Sequence, residues 1–145
     1  MLKIWIASDH AGFELKEQIK RVLKDYEWVD LGPPSAERVD YPDYAEKCSR
    51  QVAKTPGALG VLICGSGVGM SIAANKIPGI RAALVSEVAV AKLSKEHNDA
   101  NILCLGQRFL EPKTAIEITR TFIETPFSKD ERHEARVKKM MKLEK

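Results

Sequence analysis

The residues in this chain that most clearly suggest chemistry are a cysteine and the glycines that follow it. Cys64 ends a short apolar run, residues 61–63, and Gly65, Gly67 and Gly69 follow it at alternate positions. This pattern predicts a buried strand, a glycine-rich turn and then a helix. Backbone N–H groups in such a turn favour anions and would stabilise a thiolate. We interpret the stretch as an anion-binding loop with a reactive thiol at its edge; a tight turn after a core cysteine is the simpler alternative.

The glycine loop does not match the known nucleotide-binding loops. The string G-x-x-x-x-G-K-[ST] is absent, and the dinucleotide fingerprint G-x-G-x-x-G would need a glycine where Met70 stands. A nucleotide-binding module stays open as a rival interpretation because Glu87 follows the next apolar run. It stands about 20 residues after the loop, where an acidic partner for a ribose would lie.

Two further segments combine histidine with groups that could bind a substrate. Asp9 and His10 follow the first apolar run, where the carboxylate could orient the imidazole or a substrate hydroxyl; a helix N-cap explains Asp9 equally well. His97 and Asn98 begin an unusually polar turn between a predicted helix and a predicted strand. A helix C-terminal cap, with His97 favoured by the helix dipole, is the alternative there.

A pair of arginines near the C-terminus could bind a phosphate. Arg132 and Arg136 lie four residues apart and therefore share one helix face. Two guanidinium groups can hold a phosphate through paired hydrogen bonds. On spacing alone, a solvated helix with paired charges is the favoured alternative. His133 is expected to point away from this pair, at the surface.

The other cysteines do not suggest a metal or a disulfide. Cys48 and Cys104 are predicted to be core thiols, and no C-x-x-C pair is present. No histidine, cysteine and carboxylate cluster has the spacing of a metal site. The odd number of cysteines indicates a reducing compartment, and we expect a cytoplasmic protein.

The elements that must position these residues alternate between strand and helix. This order predicts a three-layer, Rossmann-like α/β fold with a five-stranded parallel sheet flanked by helices. The predicted strands are residues 2–7, 28–31, 61–63, 81–85 and 102–105. The predicted helices are residues 13–24, 42–52, 70–74, 86–96, 112–125 and 130–143.

The carboxyl ends of parallel strands form the ligand-binding edge of such a sheet. This rule brings Asp9 and His10, the loop from Cys64 onward, Glu87 and Arg108 to one edge. His97 precedes the fifth strand, so the rule does not place it there.

Size and charge limit the remaining possibilities. The 145 residues are 44% hydrophobic and 30% charged, and we expect a single domain, 1–145, with a C-terminal helix from about residue 130. A net charge of +3 is too small to indicate nucleic-acid binding. No apolar run is long enough for a membrane span, and the N-terminus has no signal-peptide pattern.

Six motifs stand in order along the chain: A-S-D-H-A-G-F-E-L-K (7–16), V-D-Y-P-D-Y-A (39–45), L-I-C-G-S-G-V-G-M-S-I-A-A-N-K (62–76), G-I-R-A-A-L (79–84), H-N-D-A-N-I-L (97–103) and R-H-x-x-R-V (132–137). In this order they resemble the type B ribose-5-phosphate isomerases over essentially the whole chain. The same family includes galactose-6-phosphate isomerase subunits and allose-6-phosphate isomerases.

The resemblance implies an aldose–ketose isomerase that needs no metal or cofactor. Its expected reaction interconverts D-ribose 5-phosphate and D-ribulose 5-phosphate through an enediolate, in the pentose phosphate pathway. A six-carbon sugar phosphate remains an alternative substrate. The expected assembly is a homodimer, or a higher oligomer, in which the partner subunit completes each active site.

The resemblance also implies individual roles. Cys64 matches the catalytic base, and His97 matches the acid that opens the furanose ring. The positions that match substrate contacts are Asp9, His10, Gly65, Ser66, Gly67, Val68, Gly69, Asn98, Arg108, Arg132 and Arg136. Many relatives carry two glycines where this chain has Asp130 and Glu131. Beside a phosphate clamp, these carboxylates are expected either to point outward or to weaken phosphate binding.

Overall fold

The computed structural model describes residues 2–144, so the parts of the predictions that involve Met1 and Lys145 lie outside the described residues. Five parallel strands form a sheet in the order β2-β1-β3-β5-β4. The strands are β1 (Lys3–Ser8), β2 (Glu27–Asp30), β3 (Leu59–Cys64), β4 (Ala82–Leu84) and β5 (Ile102–Gly106).

The centre of the sheet explains the unbroken apolar runs of the sequence. Every residue of β3 and β5 is buried, as expected for parallel strands that are covered on both faces. From β1 the chain passes to β2 on one side, and β3 then pairs with β1 on the other side. The two connections therefore diverge at the carboxyl ends of β1 and β3, which is where open α/β sheets bind ligands.

Helices cover both faces of the sheet, as the amphipathic periodicity predicts. The helices are α1 (Phe13–Val22), α2 (Tyr41–Ala53), α3 (Val68–Ala74), α4 (Val88–Glu96), α5 (Pro112–Glu124) and α6 (Glu131–Met141). Successive residues of β3 point to opposite faces: Val61 and Ile63 join the core under α1, α4 and α5, whereas Leu62 and Cys64 join the core under α2 and α3. The predicted three-layer α/β fold is confirmed.

The last helix lies outside these two cores. No residue of α6 is buried, which agrees with its high charge. The segment before it is attached to the end of α4, because the N–H of Ser128 donates to the carbonyl of Glu96 at 3.3 Å. This contact places α6 beside the turn that begins with His97.

Two local features differ from the prediction. The first helix ends at Val22 rather than Lys24, and the carbonyl of Leu23 instead accepts the indole N–H of Trp28 at 2.8 Å. A short 3₁₀ helix, His10–Gly12, was not predicted and precedes α1. Within residues 2–144, no helix has the length and apolar character needed to cross a bilayer.

Candidate active site

Three neighbouring strands bring one group of predicted site residues together at the carboxyl edge of the sheet. We name this group the cysteine half-site: Asp9, His10, Cys64, residues 65–69 and Arg108. Strand β3 lies between β1 and β5. The N–H of Asp9 donates to the carbonyl of Ile63 at 3.1 Å, and the N–H of Arg108 donates to the carbonyl of Gly65 at 3.0 Å. Backbone hydrogen bonds therefore fix Asp9 and Arg108 on either side of the cysteine loop.

The thiol of Cys64 is buried at the carboxyl end of β3. The residue is 5% exposed, and its Sγ accepts the backbone N–H of Gly67 at 3.2 Å. The predicted glycine-rich turn therefore brings a backbone donor to the sulfur, and the role of this thiol stays a prediction.

Close contacts explain the glycines of the loop. A methyl group at Gly65 would lie 2.9 Å from Nη1 of Arg108, and one at Gly69 would lie 2.6 Å from Cε1 of Tyr41. Gly67 has φ of +79° in the left-handed region. Sequence reasoning missed Tyr41, whose ring forms a wall of the loop; its place at the start of α2 offered no sign of this contact.

Asp9 has one of the two roles that the sequence left open, the helix cap, and its role towards a substrate stays a prediction. Its carboxylate accepts the N–H of Gly12 at 3.1 Å and so caps the 3₁₀ helix, while the residue lies beside the cysteine loop. The Nδ1 of His10 lies 3.2 Å from the carbonyl oxygen of Val39. Asp9 and His10 line a cavity of about 530 Å³ together with residues 38–43. The strand end and the segment before α2 thus form one opening.

The exposed part of the loop is formed by Ser66 and Val68. The N–H of Val68 donates to Oγ of Ser66 at 3.2 Å, and both residues are exposed. The side chain of Leu84 reaches the loop from the edge strand, because its Cδ1 lies 2.5 Å from the position of a methyl group on Gly67. An apolar sheet edge therefore adjoins the cysteine half-site.

A second group of predicted site residues lies elsewhere. His97 and Asn98 line a cavity of about 380 Å³ with Arg132, His133 and Arg136. We name these five residues the arginine half-site. Both arginines are exposed and lie on the face of α6 that borders the end of α4. The predicted acid and the predicted phosphate clamp therefore share one cavity.

The prediction that His133 points away from this site is wrong. The rings of His97 and His133 are separated by 4.1 Å between centroids, and Oγ of Ser128 lies 2.9 Å from Nδ1 of His133. The position of His133 between the two arginines gave no reason to expect this stack, because it depends on how α6 meets α4.

Asp130 takes a definite place beside the clamp. Its Oδ1 accepts the N–H of Arg132 at 2.9 Å, and this hydrogen bond caps α6. The same oxygen lies 3.3 Å from Nε of Arg132. The backbone and side-chain hydrogen bonds from Arg132 lower the pKa of Asp130. The carboxylate of Asp130 thus faces one arginine of the predicted clamp, and its effect on phosphate binding stays a prediction.

The two half-sites lie at opposite edges of the sheet. The turn that contains His97 leads into the start of β5, whereas the end of β5 at Gly106 pairs with Cys64. Five residues of strand span about 16 Å. Within a single chain, the predicted acid is therefore separated from the predicted base by the length of the strand.

The remaining cysteines are core residues, as predicted. Cys48 and Cys104 have no exposed surface. Burial raises the pKa of Cys48 to about 12 and that of Cys104 well above its ordinary value. All three cysteines are free thiols. No group of three or more metal-binding side chains occurs in the described part of the chain.

Comparison with known proteins gives a consistent family match. The family model described as Ribose/Galactose Isomerase matches residues 4–140. A protein of Mycoplasma pneumoniae named probable ribose-5-phosphate isomerase B is 43% identical over 145 residues, which cover 98% of this chain and 95% of the relative.

Solved structures of similar proteins share the fold closely. The type B ribose 5-phosphate isomerase of Trypanosoma brucei superposes with a TM-score of 0.95 at 47% identity, covering 99% of each chain. Ribose-5-phosphate isomerase B of Mycoplasma genitalium, solved with bound ribulose-5-phosphate, has a TM-score of 0.93 at 41% identity and covers 98% of this chain and 95% of its own.

Proposed function

The chain belongs to the ribose/galactose isomerase family, and from this premise we propose that it interconverts D-ribose 5-phosphate and D-ribulose 5-phosphate. The reaction is supported by the names of its relatives and by the ribulose-5-phosphate complex of the Mycoplasma genitalium protein. The observation that carries the proposal within this structure is the hydrogen bond from Gly67 N–H to the Sγ of Cys64. This contact supports the proposal, because a sulfur that accepts a backbone N–H at the ligand-binding edge of the sheet is suited to act as a base.

Proton transfer is assigned to Cys64. Its thiolate removes the proton on C2 of the open-chain aldose, the electrons move to the carbonyl oxygen on C1, and an enediolate forms. The C2 hydroxyl proton passes to the oxygen on C1, the C2 carbonyl forms, and Cys64 returns its proton to C1, which gives the ketose. Fixed donors around a developing oxyanion stabilise it by about 3 kcal/mol each. We assign this part to the backbone of residues 65–69 and to Arg108.

Ring opening requires an acid, which we assign to His97. It delivers a proton to the ring oxygen while the bond from that oxygen to C1 breaks and the C1 hydroxyl loses its proton. We assign the acceptance of this hydroxyl proton to Asp9, one of whose carboxylate oxygens accepts the N–H of Gly12. His10 and Asn98 are assigned to the substrate hydroxyls and the phosphate end.

The phosphate is assigned to Arg132 and Arg136. They share one exposed face of α6 and line the cavity that contains His97. Guanidinium groups bind phosphate through paired, charge-assisted hydrogen bonds. The acid and the phosphate clamp would therefore hold neighbouring parts of the same small sugar, the ring oxygen and the phosphate on C5.

We propose a homodimer with shared active sites, because neither half-site contains both the acid and the base. A two-fold interface that brings one chain's cysteine half-site to the other's arginine half-site creates two equal complete sites. Exposed apolar side chains adjoin the cysteine loop, including Leu84 at 43%, Val68 at 46% and Ile72 at 57% exposure. A partner surface would remove this apolar area from water.

A six-carbon sugar phosphate remains the alternative substrate, since its reaction needs the same groups with one more carbon between C1 and the phosphate. The nucleotide-binding interpretation has less support. Glu87 follows β4, which is separated from β3 by β5, whereas a dinucleotide site takes its acidic residue from the strand next to the glycine loop.

The deciding experiment is an assay of the purified protein with ribose 5-phosphate and direct detection of ribulose 5-phosphate. Galactose 6-phosphate and allose 6-phosphate serve as parallel substrates, and Cys64→Ala is the control for contaminating isomerase. Turnover of the pentose, lost in the variant, is the expected result. Turnover of only a hexose phosphate would replace the proposed substrate, and no turnover would overturn the proposal.

We also propose the cytoplasm as the compartment, because its reducing conditions keep Cys64 a thiol.

A further inference from the structure

A separate charged cavity lies at the amino-terminal edge of the sheet, near the starts of β3 and β5. Its volume is about 290 Å³, and its wall includes residues 55–59, Arg81, Lys95, Asp99 and Asn101. None of its lining residues lines the cavity of the arginine half-site. The proposed isomerase reaction gives this cavity no role.

The unusual member of the wall is Lys95. The residue is only 7% exposed, and among residues 2–144 its Nζ has no hydrogen-bond acceptor and no carboxylate within 4.0 Å. Its ammonium lies 4.9 Å from the ring centroid of Phe122. A charge on a largely buried side chain that has no close ionic partner is costly. Burial accordingly lowers the pKa of Lys95, with Arg81 adding to the effect and Asp99 opposing it.

A second cation is held rigidly in the same wall. Nε of Arg81 donates to the backbone carbonyl of Asp99 at 2.6 Å, and Nη2 lies 3.4 Å from the Asp99 carboxylate. The carboxylate is therefore engaged by the arginine and does not come within 4.0 Å of Lys95 Nζ. Two cations and one carboxylate give the cavity an excess positive charge.

We propose that this cavity binds a small oxyanion, either a phosphate or a carboxylate, between Lys95 Nζ and Arg81. The anion would supply the ionic partner that Lys95 lacks in the folded chain. The volume lies at the lower limit of ligand pockets, so it admits a phosphate-sized ion and excludes a nucleotide. Asp99 adjoins Asn98, so the bound anion would rest against the turn that carries the arginine half-site.

Crystals of the full-length protein grown in sodium selenate test the position of the anion, because selenate has the shape of phosphate and scatters anomalously. We expect a selenium peak at hydrogen-bond distance from Lys95 Nζ. A second peak beside Arg132 and Arg136 serves as the internal control. In Lys95→Met, which keeps an unbranched apolar side chain as far as Cε and removes the ammonium, the cavity peak should vanish and the control peak should remain. A control peak without a cavity peak, or a cavity peak that survives the substitution, overturns the proposal.

The alternative outcome, an adventitious ion only, is tested by thermal unfolding in solution. The parent is an Arg132→Ala/Arg136→Ala variant, which removes the other expected phosphate site from an exposed helix face. Phosphate at ten times its Kd should raise the Tm by about 4 °C relative to chloride at equal ionic strength. Adding Lys95→Met should abolish this difference. Malonate in parallel identifies a carboxylate ligand. No response of the parent to either anion, or the same response after Lys95→Met, overturns the proposal. Both tests read binding, so failure of the isomerase assay leaves them interpretable.

Discussion

The imidazole rings of His97 and His133 stack with 4.1 Å between their centroids and 31° between their planes. His97 follows the last turn of α4, and His133 lies in the first turn of α6. The stack therefore joins two helices that are distant in sequence. It holds the proposed acid and the arginines of α6 as one unit.

We expect His133→Ala to lower kcat more than it changes KM, because the arginines remain while His97 loses the ring that orients it. An aromatic pair contributes about 1 kcal/mol, which corresponds to a roughly fivefold loss of kcat. His133→Phe is the matched control, since it keeps a stacking ring without the bond to Ser128. Equal losses in the two variants, or a change in KM alone, would contradict a positioning role.

Mixing two inactive variants tests the shared active site. Cys64→Ala and Arg132→Ala/Arg136→Ala should each be nearly inactive at low substrate concentration. After unfolding and refolding together, half of the dimers should be hybrids, and each hybrid regains one intact site. The mixture should therefore recover about one quarter of the wild-type activity. A mixture no more active than its components would mean that each chain holds its own complete site.

Alkylation should distinguish Cys64 from the other thiols. Burial raises the pKa of Cys48 to about 12 and that of Cys104 well above its ordinary value, so both remain protonated and enclosed near neutral pH. Iodoacetamide followed by peptide mass spectrometry should label Cys64 first, and ribulose 5-phosphate should slow the labelling. Labelling of Cys48 or Cys104 at the same rate would remove the basis for Cys64 as the base.

Asp130→Asn should strengthen substrate binding. Asparagine can still cap α6, while the charge that lies 3.3 Å from Nε of Arg132 is removed. We expect the KM for the sugar phosphate to fall by about twofold to fivefold, within the range of an exposed ion pair, with kcat unchanged. Glu131→Gln removes a neighbouring charge and is the control. A KM that rises in Asp130→Asn would show that this carboxylate supports the clamp.

Two glycines in the left-handed region should differ in their tolerance of alanine. Gly67 and Gly57 both have φ of +79°. A methyl group at Gly67 would lie 2.9 Å from the backbone carbonyl carbon of Leu105. A methyl group at Gly57 would have no surrounding atom within 4 Å. Gly57→Ala should cost about 1 kcal/mol in the free energy of unfolding, and Gly67→Ala clearly more. Urea unfolding of both variants gives the comparison, and equal costs would contradict the close packing of the loop.

Removing Asp30 should destabilise the protein more than removing its buried partner. Nζ of Lys16 lies 2.8 Å from Oδ1 of Asp30, and the lysine side chain is 1% exposed. In Asp30→Ala, the ammonium of Lys16 loses its shortest carboxylate contact. This loss should cost about 3 kcal/mol in the free energy of unfolding. In Lys16→Met, the carboxylate keeps Lys20 at 2.6 Å. Thermal unfolding should show the larger loss for Asp30→Ala, and the reverse order would refute this account of the pair.

The lowered pKa of Asp30 leads us to expect that the protein loses stability in acid. Desolvation raises the pKa of Asp30, but hydrogen bonds from Lys16, Lys20 and Gly32 outweigh it, so the net pKa is lower than the ordinary 3.8. A lowered folded-state pKa stabilises the protein above the unfolded-state value, and this stability is lost as the pH falls through the folded-state value. Wild type should therefore lose more stability below about pH 4 than Asp30→Asn does.

The sequence by itself determined the layered fold and the cysteine half-site. Alternating apolar runs and amphipathic segments predict parallel strands, and the carboxyl ends of parallel strands necessarily share an edge. Asp9, Cys64 and Arg108 each lie at the end of a strand or within two residues after it, so local order along the chain was sufficient to group them. The motifs also indicated the family, because each motif is a contiguous stretch of sequence.

Only the tertiary structure decided where the remaining groups lie. His97 precedes its strand, so the sequence could not say that it occupies the opposite edge of the sheet from Cys64. The ring of His133 and the unpaired ammonium of Lys95 depend on how α6 and the loop at residues 55–58 pack against the end of α4. Contacts between such distant segments follow from the packing of the whole chain, and no local pattern of residues records them.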